Sequence, residues 1–192
     1  MYSEETIRDY LSKLASREPV PGGGSVSALV GAAGAALISK VANFTIGNEK
    51  YRSVEKEATD IRRRAEDLRG SFLKLCSEDA TVYKKLSDVF KMPRTEERNE
   101  KLQLALKAAV DVPLRICKAS REAVKLCVSL TGKGNKNLMS DIACAEAILR
   151  CAHRTALINV ETNLKTIRDD GFVKETRDLL KKTGEKWHDT KN

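Results

Sequence analysis

Histidine, aromatic rings and long apolar runs are all scarce in this chain, and each shortage removes a class of function. His153 and His188 are the only histidines in 192 residues, so neither an HExxH motif nor a multi-histidine metal site can form. The longest predominantly apolar stretch, residues 26–38, covers 13 positions, short of the roughly 20 that cross a bilayer; no membrane span is expected. With 5% aromatic content and one tryptophan, few rings are available for base stacking. Five cysteines make an odd set without CxxC spacing, which reads as reduced core thiols. The N-terminus, MYSEETIRDY, is polar from its start and carries no secretory leader, so a reducing cytoplasm is the expected setting. Period-two alternation never persists, which leaves no strand signal.

The residues present describe one domain spanning 1–192, 41% hydrophobic and 32% charged, long enough to bury its own core. The net charge is +8, but the basic residues alternate with acids, as in KEATDIRRRAEDLR at 56–69, the pattern of a solvated helix face. The charge excess keeps one alternative open, a basic helical module that binds nucleic acid or protein. Nucleic acid is disfavoured because no recognition motif accompanies the charge.

Apolar residues recur three and four apart throughout, predicting an all-α bundle of five or six helices. Residues 3–16 read as an amphipathic helix with Ser3 as N-cap. Residues 25–45 form a small-residue central helix, with stripes at Ser27, Gly31, Ala35 and at Ala28, Ala32, Ala36; interior glycines there imply that a neighbour approaches closely. A long helix over 52–91 has a regular seam (Val54, Ala58, Ile61, Ala65, Leu68, Phe72, Leu75, Val82, Leu86, Val89) that Asp79 interrupts. The next, over 96–130, contains Pro113, which predicts a kink. Residues 140–168 are apolar or small on two faces, fitting a bundle interior or a subunit interface. A last amphipathic helix carries Phe172, Thr176, Leu179, Leu180 and Trp187.

Five groups of residues are candidates for chemistry. Pro21, Gly22, Gly23, Gly24 and Ser25 bring bare backbone into a helix N-terminus, where free N–H groups favour a carboxylate or polar ring; a tight interhelical turn explains them equally. The stretch lacks both the preceding strand of a dinucleotide fold and the Gly-Lys-Ser ending of a P-loop, so NAD and ATP are not expected. Asp79, on a buried seam, must be paired, hydrogen-bonded or protonated, and is either a tuned acid/base or half of a buried ion pair. Asn135, Ser140 and Asp141 cluster at a loop-to-helix junction as ligand contacts or helix caps. Asn159 and Asn163, one turn apart, fit either a heterocycle or interhelical hydrogen bonding. Lys50 and Tyr51 offer a cation and a stacking ring.

The segment PGGGSVSALVGAAGAALISKVANFTIGNEKY resembles the opening of the cyclodeaminase domain of formiminotransferase-cyclodeaminases and of the related methenyltetrahydrofolate cyclohydrolases. The likeness continues through Asp79 with Met92-Pro93, Ala109 with Pro113, Gly134-Asn135 with Ser140-Asp141, and the pairs Asn159-Val160 and Asn163-Leu164. The resemblance implies a helical homodimer acting on a tetrahydrofolate derivative, polyglutamylated forms included. It also implies no cofactor beyond that substrate, Asp79 as catalytic acid or base, and folate bound near the glycine turn. Asp141 or Ser140 is the expected second polar contact. Two reactions are open: closing formiminotetrahydrofolate to methenyltetrahydrofolate with loss of ammonia, or interconverting methenyl- and formyltetrahydrofolate. The lack of a formiminotransferase domain leans toward the second.

Overall fold

The computed structural model describes residues 2–184; Trp187 lies outside them. The described chain is helical, in the order α1 (Ile7–Leu14), α2 (Gly23–Thr45), α3 (Glu55–Lys91), α4 (Glu96–Leu130), α5 (Met139–Leu164) and α6 (Asp170–Gly184), with short 3-10 turns at Tyr2–Glu4, Glu49–Val54 and Lys136–Leu138. Helices α2 to α5 form the bundle: α2 lies between α3 and α5, and α4 packs against the same two. Helix α6 lies against α4.

Local chemistry moves three boundaries from their expected places. Helix α1 begins at Ile7, because Thr6 accepts the Asp9 N–H at 3.1 Å and caps it; Ser3 lies outside this helix. Tyr51 adopts non-helical φ/ψ, so the long helix starts at Glu55. Helix α5 stops at Leu164, because Asp169 accepts the Phe172 N–H at 3.0 Å and opens α6 instead.

The predicted seams form the core. Along the α3 seam, Ala58, Ile61, Ala65, Phe72, Leu75 and Leu86 are buried, whereas Val54, just before the helix, and Leu68, Val82 and Val89 are half-buried. On α2, the interior glycines are where neighbours come close: a methyl at Gly31, on the first stripe, would meet the Phe72 ring at 2.5 Å, and one at Gly34, on neither stripe, would meet Leu149 at 2.6 Å; Ala36 of the second stripe is exposed. Helix α2 is long and apolar enough to cross a membrane, but most of its surface is buried in the bundle, which marks it as the core helix. The cysteines divide: Cys76, Cys117 and Cys127 are buried, whereas Cys144 and Cys151 are exposed, contrary to their reading as core thiols.

Helix α4 continues through Pro113. Proline has no N–H for the carbonyl four residues earlier, and that carbonyl, of Ala109, accepts instead from Asn163 Nδ2 at 2.8 Å. The bond that α4 cannot make with itself is thus made by α5.

Candidate functional site

Unequal helix lengths create the cavity. Helix α3 continues from Asp79 to Lys91, about 18 Å at 1.5 Å per residue, beyond the level at which α2 begins. The upper turns of α3, α4 and α5 therefore enclose a space floored by the N-terminus of α2. This cavity has a volume of about 250 Å³. Its lining combines Gly22, Gly23, Gly24, Asp79, Asn159 and Asn163 with apolar wall from Val82, Leu86, Val112 and Pro113.

The glycine turn has a geometric reason. Gly22 is the N-cap of α2 and supplies no side-chain cap, so the first-turn N–H groups face the cavity region without intrahelical acceptors. One of them, Ser25 N–H, donates to Asp79 Oδ2 at 2.9 Å. A Cβ on Gly24 would stand 2.0 Å from Asp79 Oδ1; only glycine lets the carboxylate come this close to the helix end.

Asp79 is half-buried, and burial pushes its carboxyl above the ordinary value of 3.8, an effect partly opposed by the Ser25 N–H. Among the described residues, no lysine or arginine lines the cavity. The ion-pair explanation of this carboxylate therefore loses its partner among these residues, and what remains is an acid in a partly desolvated pocket of mixed polar and apolar lining, a setting that can tune a proton carrier. Asn159 donates to the Thr155 carbonyl at 2.9 Å, and Asn163 to that of Ala109. Each amide is fixed in plane by one N–H, and interhelical bonding and cavity lining turn out to be compatible roles for Asn163.

The remaining candidates lie at the other end of the bundle. Helix α2 is 23 residues long, so roughly 33 Å separates its two ends. At the far end Asn135 binds the α2 terminus, through its N–H to Thr45 Oγ1 at 3.0 Å and its Nδ2 to the Phe44 carbonyl at 3.0 Å. Tyr51 Oη accepts the Lys136 N–H at 2.9 Å. Asp141 pairs with Lys40 at 2.8 Å, Ser140 is exposed in the first turn of α5, and Lys50 is exposed. Neither Ser140 nor Asp141 caps α5, whose N-cap is Leu138 without a side-chain bond. Within one chain these residues do not join Asp79.

Sequence reading missed two features of the site. Tyr83 lines the cavity one turn beyond Asp79; its i+4 spacing from a suspected acid was the available signal. Pro19 and Val20 also line it, contributed by the linker before α2, and no periodicity marks them.

The chain is similar to known proteins along nearly its whole length. A family model for formiminotransferase-cyclodeaminase matches residues 6–182. The chain is 37% identical to a methenyltetrahydrofolate cyclohydrolase of Methylorubrum extorquens, over 96% of this chain and 93% of that protein. It is 30% identical to the formimidoyltransferase-cyclodeaminase of Rattus norvegicus over 91% of its own length, which spans 33% of that larger protein. The crystal structure of formiminotetrahydrofolate cyclodeaminase from Thermotoga maritima superposes with a TM-score of 0.90 at 31% identity, over 95% of this chain and 90% of that one. A family match over residues 6–182, with 37% identity to a relative of nearly equal length, shows that the chain belongs to the formiminotransferase-cyclodeaminase family.

Proposed function

We propose that the protein is a folate-dependent one-carbon enzyme in which Asp79 carries the proton at the reacting carbon. The observation that supports this most directly is a half-buried carboxylate, without a cationic partner among the described residues, in a cavity at a helix N-terminus. Methenyltetrahydrofolate is common to both family reactions. Its bridging carbon is an amidinium-like cation flanked by the pterin ring nitrogen and the bridge nitrogen, so it needs no metal for activation. An ionised Asp79 stabilises that cation.

Hydrolysis is our first reading, supported by 37% identity to a cyclohydrolase along nearly the full length of both chains. Asp79 removes a proton as water attacks the methenyl carbon. It then returns the proton to the ring nitrogen as the carbon–nitrogen bond breaks, while the hydroxyl proton leaves to solvent and the formyl group stays on the bridge nitrogen. In the deaminase direction the same carboxyl takes the proton of the attacking bridge nitrogen and gives it to departing ammonia. The 250 Å³ cavity is below the size that encloses a whole drug-sized ligand. It fits the reacting heterocycle, with the acidic tail, polyglutamylated or not, lying outside.

Offering the purified protein both folates and following methenyl absorbance distinguishes the two: disappearance from methenyltetrahydrofolate marks hydrolysis, and appearance from formiminotetrahydrofolate marks deamination. Asp79→Asn should lower turnover by roughly 100-fold or more. Retained turnover in a folded variant would refute the role of Asp79, and inactivity of the native chain on both folates would refute the enzyme.

The dimer is supported by an uncovered apolar face. The second face of α5 exposes Cys144, Cys151 and Ile158, the last at 60%, and α2 exposes Ala33, Ala36 and Phe44, the last at 58%. The Lys40–Asp141 and Ser27–Thr155 bonds join α2 and α5 side by side, so these residues form one surface with few charges. A second copy covering it would bury what one chain leaves in water. Five free thiols support a reducing compartment such as the cytoplasm.

A further inference from the structure

Ser25, whose N–H holds Asp79, is itself held from two directions. Its hydroxyl lies 3.0 Å from Tyr10 Oη and 3.0 Å from Cys76 Sγ. Ser25 is fully buried, Cys76 is 2% exposed and Tyr10 is 4% exposed. Cys76 sits one turn before Asp79 on α3, and Tyr10 is the one buried residue of α1. Three helices thus converge on the residue that touches the carboxylate, although no residue of α1 lines the cavity.

The need for such a clamp follows from the glycine turn. Three consecutive glycines precede Ser25, and the N-cap offers no side-chain bond, so nothing local fixes the direction of the first-turn N–H groups. The side chain of Ser25 is the first along α2 that can anchor this turn, and its two partners are buried where water does not compete.

We propose that Tyr10 is a positioning residue for Asp79: through Ser25, and together with Cys76, it keeps the Ser25 N–H aimed at Asp79 Oδ2 and so makes α1 part of the catalytic apparatus. The proposal rests on Asp79 being the proton carrier. Burial pushes the Tyr10 phenol up to about 12 and also raises the Cys76 thiol. Both stay protonated at neutral pH, so the network is a clamp and not a relay of charge.

The test uses the full chain carrying Tyr10→Phe, Cys76→Ala or Cys76→Ser, with kcat and KM measured across pH by methenyl absorbance and thermal midpoints recorded beside them. Tyr10→Phe and Cys76→Ala should lower kcat by roughly tenfold to a hundredfold with little change in KM. Both should also move the Asp79 limb of the pH profile upward, because the N–H that favours the carboxylate is loosened. Cys76→Ser, which keeps a hydrogen-bonding group, should retain the native limb. A limb unmoved in the folded variants, with only the melting temperature lowered, would mean that Tyr10 merely packs α1 and would overturn the proposal. Asp79→Asn separates the two ideas: full turnover there removes the proton carrier itself, whereas loss of turnover there with a native limb in Tyr10→Phe removes only the clamp. If Tyr10→Phe fails to fold, the Cys76→Ala and Cys76→Ser pair decides by the same criterion.

Discussion

Replacing Gly24 by alanine should separate activity from stability more cleanly than any other change at the site. The new Cβ would lie 2.0 Å from Asp79 Oδ1 and 2.6 Å from its Cγ. Relief to 3.4 Å, where ordinary contact begins, needs 3.4 − 2.0, or about 1.4 Å, of retreat by the carboxyl. Since the Ser25 N–H to Oδ2 bond is already 2.9 Å long, that retreat breaks it. A misplacement of about 1 Å in a reacting group costs on the order of 100-fold in rate, so kcat should fall by about that factor. Stability should change far less: alanine gains roughly 0.5–1 kcal/mol over glycine in a helix, offsetting part of an overpacking strain of about 1–3 kcal/mol. Gly70→Ala, in the middle of α3 with nothing within 4 Å of its Cβ, is the matched control. It should melt slightly higher and turn over normally. The assay is methenyl absorbance in parallel with thermal melts, and a Gly24→Ala enzyme with native kcat would refute the close-approach argument.

Asp79→Asn should melt at or above the native temperature at neutral pH. The native carboxyl is raised above 3.8 by burial, so its contribution to stability is fully present below 3.8 and is lost as pH rises through its folded value. Asparagine avoids that loss and still accepts the Ser25 N–H. The advantage should vanish in acid, and melts showing the opposite pH trend would contradict the sign. Asn163→Ala leaves the Ala109 carbonyl unpaired and should cost about 1–3 kcal/mol by denaturant unfolding. Adding Pro113→Ala restores an N–H to that carbonyl, so the double variant should lose less than the sum of the singles; strict additivity would refute the compensation. Ile158→Glu tests the proposed dimer face: the native chain should have a dimer's mass and the variant a monomer's in light scattering, and equal masses would remove that face from the proposal.

The helical class, the four long helices and the identity of Asp79 as an outlier were legible because they are one-dimensional. A 3.6-residue period is local to each helix, and a carboxylate among hydrophobes breaks it visibly. The interior glycines of α2 announced close neighbours, and Phe72 and Leu149 are those neighbours. Helix starts were less legible, because Thr6 and Asp169 compete with equally good capping residues nearby.

What the sequence determined by itself is the set of amphipathic helices and their apolar faces, since burial preference and backbone propensity act residue by residue. Which polar residues meet was decided only by the tertiary structure. Most of the length of α2, about 22 Å or more at 1.5 Å per residue, separates Asn135, Ser140 and Asp141 from Asp79. The unequal lengths of α2 and α3 open a cavity at one end, and folding brings Tyr10, Ser25 and Cys76 within hydrogen-bond reach across 66 residues of chain. Such contacts depend on where helix ends fall in space, and no spacing along a single helix encodes that.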